Sequence, residues 1–135
     1  MAETSAKTIQ VVVVTPERAV LDESADMVVL PLFDGEFGVM ANHSPFVGQL
    51  GPGELRVKHG DETKRFFIDG GFAQVGKNVV NVLTQFARKK DDLTDALIAA
   101  EKTKAEALPA TNEVERATKA KLAARVAAMG RVAKK

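Results

Sequence analysis

A chain of 135 residues and 14.5 kDa, 45% hydrophobic and 27% charged, is one domain or a domain with an appendage, of ordinary globular composition. The absence of cysteine excludes disulfides, thiolate zinc sites and a cysteine nucleophile. The net charge of +1 hides a divide: residues 1–86 carry 7 Lys/Arg against 11 Asp/Glu, whereas residues 87–135 carry 12 against 7. All seven phenylalanines and all glycines but Gly130 fall in the first part, while Ala, Lys, Glu and Leu dominate the second. Two architectures are therefore expected, with residues 1–86 forming one domain and 87–135 another. The N-terminus shows no basic segment followed by an apolar core, so no signal peptide is expected. No apolar run reaches the roughly 20 residues that span a bilayer.

Thr8 to Thr15 is β-branched almost throughout and stops at Pro16, as a buried strand does. Pro16-Glu17-Arg18 leads into a short Ala19-Val20-Leu21 segment, after which Asp22-Glu23-Ser24 reads as a turn. Ala25 to Phe33 is a second apolar run, and Pro31 within it predicts an edge strand or a bulge. Asp34 to Gly53 is bent repeatedly by Asp34-Gly35, Ser44-Pro45 and Gly51-Pro52-Gly53, so short β-elements with a surface displayed on the bends are expected. Glu54–His59 and Thr63–Asp69 pair as a hairpin about Gly60-Asp61. Gly70-Gly71 breaks the run before Phe72–Val75, Gly76-Lys77-Asn78 turns again, and Val79–Phe86 closes the region. Strands at this spacing predict an antiparallel β-sandwich or barrel.

From Asp91 the period becomes helical. Asp91 and Asp92 suit a helix N-terminus, and Leu93, Leu97, Ala100 and Ala107 share a face. Leu108-Pro109-Ala110-Thr111 interrupts, and Asn112 with Glu115 forms a capping pair for a second helix. Ala117, Ala120, Ala124 and Ala127 make a small-residue stripe for close helix contact, and Gly130 is the expected stop. Two helices of roughly 16–18 residues in an antiparallel hairpin are predicted.

No catalytic constellation emerges. His43 and Ser44, with Asp34, are the nearest to a triad, but adjacent residues of an extended segment point apart, so His43 is read as structural or interfacial. His59 is read as exposed at a hairpin end. No cluster has metal-ligand spacing, and Gly76-Lys77 lacks a phosphate loop. The basic second part interleaves acids and has no aromatic, so nucleic acid is not an expected partner. The residues describe an interaction protein.

Several motifs stand in order: Gly35-Glu36-Phe37-Gly38, His43-Ser44-Pro45, Pro52-Gly53-Glu54-Leu55-Arg56-Val57, Gly70-Gly71-Phe72-Ala73-Gln74-Val75 and Val80-Asn81-Val82-Leu83. With the opening Val14-Thr15-Pro16-Glu17-Arg18, the chain resembles the epsilon subunit family of bacterial F-type ATP synthase, called delta in mitochondria. The resemblance implies a ten-stranded β-sandwich followed by an α-helical hairpin. It implies a non-catalytic subunit of the rotating central stalk that needs no cofactor or metal. Its partners would be the gamma subunit, the c-ring and, through the hairpin, the alpha/beta catalytic head. The chain would contact the inner (plasma) membrane only through the complex, on its cytoplasmic side.

By the same resemblance, Glu36, Phe37, Gly38 and His43 lie on the loop that faces the c-ring, whereas Phe72 is sandwich structure. Lys119, Lys121 and Arg125 on the second helix are placed to meet acidic surfaces of the head. Family members that bind ATP at the hairpin use an Ile/Leu-Asp-x-x-Arg-Ala sequence; matched to Asp92–Leu97, its aspartate and arginine fall on Leu93 and Ala96. No nucleotide site is expected, and a brake on ATP hydrolysis is expected to be weak or absent. A free-standing sandwich that binds a peptide or small ligand is the rival reading.

Overall fold

Ile, Gln and a run of Val form strand β1 (Ile9–Val14), in which Ile9, Val11 and Val13 are buried and their neighbours half-exposed. That alternation puts the core on one face of the strand. The computed structural model describes residues 8–134, so most of the N-terminal stretch read for a signal peptide lies outside the described residues. Nine more strands follow: β2 (Ala19–Ala25), β3 (Met27–Leu32), β4 (Gly35–Met40), β5 (Phe46–Gln49), β6 (Gly53–His59), β7 (Glu62–Asp69), β8 (Phe72–Gly76), β9 (Val79–Leu83) and β10 (Phe86–Lys89). They build two five-stranded sheets, ordered β2-β1-β9-β8-β5 and β10-β7-β6-β3-β4. Inward residues of both sheets, among them Val11, Val13, Leu30, Leu55, Phe66, Ile68, Val80 and Val82, fill the space between them. This is a β-sandwich, as expected.

Four local expectations change. Asp22-Glu23-Ser24 is not a turn; these residues continue β2 in register with Val12, Val11 and Gln10. The polar segment is tolerated because β2 is an edge strand, where charge is at home. Pro31 sits in a strand flanked on both sides, β3, yet the ladder with β6 ends at the Val29↔Arg56 pair, so its missing N–H falls beyond that ladder. Residues 79–86 do not make one closing strand. The chain changes sheets around Thr84, whose N–H donates to the Val14 carbonyl (3.0 Å) and whose hydroxyl donates to the Asp69 carbonyl (3.1 Å). Finally, β1 and β9 pair parallel, since no short hairpin links them to impose the antiparallel direction.

The chain separates into two compact units, one ending at Ala87 and one beginning at Arg88. The second holds a 3₁₀ turn (Lys90–Asp92) and two helices, α1 (Asp95–Ala107) and α2 (Glu113–Ala133). Thr94, not Asp91 or Asp92, caps α1, accepting a bond from the Leu97 N–H at 3.1 Å. Asn112 caps α2 through the Glu115 N–H at 2.8 Å, and Glu115 reaches back to the Thr111 N–H at 3.0 Å. Gly130 does not stop α2, which runs on so that Val132 is buried. The alanine stripe is displaced too: Ala117, Ala120, Ala124 and Ala127 are exposed, whereas Ala105, Ala128 and Met129 are buried. Alanines all round a helix leave its period ambiguous, and the larger Met129 and Val132 select the buried face.

Candidate functional site

Strands β4 and β5 are edge strands of opposite sheets, and an aromatic cluster spans the gap between them. The Phe37 ring on β4 meets Phe46 on β5 edge-on at 4.9 Å, and both meet His43 at 5.4 Å. A groove of about 620 Å³ opens beside them, lined also by Phe33, Asp34, Pro45 and Val47. The link carrying His43 is held by backbone geometry. Asn42 adopts φ 67°, a left-handed conformation that asparagine tolerates, and its N–H donates to the Asn78 side chain at 2.6 Å. His43 Nδ1 bonds the Ser44 carbonyl at 2.7 Å, as donor, so the ring is oriented by backbone and not by the Ser44 hydroxyl. Among the described residues no group of three or more His, Cys, Asp or Glu is arranged to hold a metal.

The family resemblance placed Glu36, Phe37, Gly38 and His43 on one loop. In the structure the first three lie within β4, and strand alternation divides them. Phe37 joins His43 in the cluster, while Glu36 and Gly38 share the opposite face. There Arg56 of β6 grips Glu36 with two nitrogens, at 2.9 and 3.3 Å. Arg56 also donates to Glu54 Oε1 at 3.1 Å, and Arg65 donates to the same oxygen at 3.0 Å. The Glu36 bonds, followed by burial acting oppositely and then the Glu54 bond, leave the Arg56 pKa above its ordinary value. Glu54 is only 2% exposed, and its second oxygen has no hydrogen-bond partner.

A second surface escaped the sequence reading. Across β1, β9, β8 and β5 the outward positions are Gln10, Val12, Val14, Val79, Asn81, Leu83, Phe72, Gln74, Val47 and Gln49, none of them ionisable. Phe72 (56% exposed) and Leu83 (54%) are register partners, and Val47 is 66% exposed. Phe72, read as sandwich structure, therefore points outward. The signal was present in the sequence: apart from Gln10 and Asn81, β1 and β9 are apolar on both faces, which a strand with one wet face is not.

On α2 the three expected basic contacts divide. At about 100° per residue, Lys121 and Arg125 lie about 40° apart, whereas Lys119 is turned about 160° from Lys121. Lys119 Nζ donates to the Glu106 carbonyl at 3.1 Å, tying α2 to the end of α1. Lys121 is exposed; Arg125 is half-buried and engaged in an interaction of its own. Leu93 is buried before α1, and Ala96 is exposed in its first turn. A cleft of about 340 Å³ between the helices is lined by Ala105, Ala123, Val126 and Ala127, with Lys102, Glu106 and Lys119.

Residues 8–90 match the family model described as ATP synthase, Delta/Epsilon chain, beta-sandwich domain. The chain is 53% identical over 100 residues to the ATP synthase epsilon chain of Rhodopirellula baltica, covering 74% of this chain and 77% of that one. It is 49% identical over 77 residues to that of Maridesulfovibrio salexigens, covering 57% and 54%. Its fold resembles a chain of the Euglena gracilis mitochondrial ATP synthase OSCP/F1/c-ring structure, with a TM-score of 0.77 at 24% identity, over 96% and 83% of the two chains. A chain of the Tetrahymena thermophila mitochondrial ATP synthase central stalk/c-ring structure gives 0.72 at 13% identity, over 96% and 99%. No helix among the described residues is long and apolar enough to cross a membrane.

Proposed function

Since the chain belongs to the delta/epsilon chain family of ATP synthase, we propose that it is a rotor subunit that docks on gamma through the outer face of its first sheet. The observation that carries this reading is the charge-free surface around Phe72, Leu83 and Val47. A face of four adjacent strands without an ionisable group has little to recommend it in water, and burial against an apolar partner at about 25 cal/mol per Å² would stabilise the assembly. The β4 edge, with Phe37 and His43 on the side of the aromatic groove and Glu36 and Gly38 on the opposite side of the strand, faces the c-ring. The chain carries torque from ring to stalk while catalysis lies in the head, and it meets the membrane, on the cytoplasmic side, only through the complex.

The hairpin is a weak brake or none. Slid one residue so that its leading aliphatic falls on Leu93, the ATP motif places Thr94 and Leu97 at the aspartate and arginine positions, and Thr94 is occupied as a helix cap. Neither frame supplies a guanidinium for phosphate. Size-exclusion chromatography with light scattering of the chain mixed with gamma tests the docking. A one-to-one complex is expected, lost when Phe72 and Leu83 are both replaced by Asp. Co-elution of that double variant with gamma would sink the assignment of the face.

A further inference from the structure

Glu54 is a poor choice for stability alone. It is almost fully buried on β6, and one carboxylate oxygen makes no hydrogen bond. A buried charge left half-satisfied costs more than a well-packed apolar side chain. What Glu54 does provide is geometry. Arg56 and Arg65 are register partners on one face, and like charges directly opposite repel; the Glu54 Oε1 between them accepts from both. Arg56 is thereby held to reach across β3 to β4, two strands and about 10 Å away, where its two nitrogens hold both oxygens of Glu36. Glu36 stands on an edge strand with its side chain 52% exposed. The two-point fork fixes the direction in which Arg56 meets that carboxylate.

We infer that Glu54 and Arg56 are positioning residues, which act through Glu36 to present its carboxylate in one orientation to the polar surface of a partner. The inference rests on the reading that Glu36 faces the c-ring. A chain of fixed charges ending in an exposed carboxylate favours a partner whose hydrogen-bond donors are equally fixed, because preorganised groups lose less entropy on contact. Lysine at position 56 would keep the charge but lose the two-point grip.

The test is the affinity of the full-length chain, complexed with gamma, for detergent-solubilised c-ring. Glu36→Ala weakens binding if the c-ring reading is right; if it changes nothing, that reading fails and the inference with it. Glu54→Gln and Arg56→Lys are each expected to weaken binding about three- to tenfold in the wild-type background, and to weaken it no further when Glu36→Ala is already present. No loss in the wild-type background, or the same loss in both backgrounds, would overturn the positioning role while leaving the c-ring reading standing. Melting temperatures of the same variants keep loss of fold from passing as loss of positioning.

Discussion

Gly71 is the residue with the least room to change. Its φ is +95°, and a Cβ there would lie 1.9 Å from the Leu83 carbonyl oxygen, a backbone atom that cannot swing away. Its own carbonyl accepts from the Leu50 N–H at 2.9 Å, so the backbone cannot shift without breaking that bond. Gly71→Ala is expected to cost about 3 kcal/mol or more, from strain and lost packing together. Thermal unfolding followed by circular dichroism checks it, and a melting temperature within a few degrees of wild type would contradict the close approach. Gly38 offers the contrast: a Cβ there meets only the terminal methyl of Met27, which can rotate aside. Gly38→Ala should fold, which makes it a usable probe of the β4 surface. Lys77 sits at φ 51°, a conformation costly for an ordinary side chain. Lys77→Asn should therefore raise stability by about 0.5 kcal/mol, read as a higher denaturation midpoint.

Among the elements, α2 carries a pH dependence at its N-terminus. The Thr111 hydroxyl first, and then its N–H, hold the Glu115 pKa below the ordinary 4.5. A carboxylate whose pKa falls on folding stabilises the folded form above its unfolded pKa, and that contribution is lost as the pH drops through the folded value. Helix content should thus decline in acid below about pH 4.5. Glu115→Gln should lower helix stability at neutral pH and flatten that decline. Superimposable far-ultraviolet titrations of the two proteins would remove Glu115 from the account. The capping pair was legible because Asn at one position and Glu three residues on satisfy backbone donors through local chemistry alone. The helix ends were not: α1 begins later than the Asp91-Asp92 signal, because Thr94 lies where the chain leaves the 3₁₀ turn.

At the scale of the whole molecule, the proposed weak brake has a direct consequence. Removing the hairpin from the assembled enzyme should raise ATP hydrolysis little, about twofold or less, which for a barrier is under about 0.5 kcal/mol. The cut belongs after Lys89, since β10 continues past Phe86. A rise of tenfold or more in hydrolysis by the truncated enzyme would establish a strong brake instead. Such a chain should still co-elute with gamma, because the charge-free face lies within the first unit.

Periodicity carried most of the sandwich. Glu54–His59 and Thr63–Asp69 alternate with period two about a Gly60 that adopts φ +61°, so strand, turn and partner follow from local steric preference. Local preference says nothing of which sheet a strand joins, and Val79–Lys89 divides between two because of long-range bonds at Thr84. Nor can alternation easily choose the covered face when both faces are mostly apolar, as in β1 and β9. Phe72 and Leu83 were visible as apolar residues; that they point outward was settled by the packing of the two sheets against each other. In the same way Glu36 and Phe37 were adjacent in one motif, with His43 in the next, yet the pleat sends Glu36 to Arg56 and Phe37 to His43. Residue chemistry and spacing are written in the chain, whereas facing and partnership depend on contacts between residues distant in it.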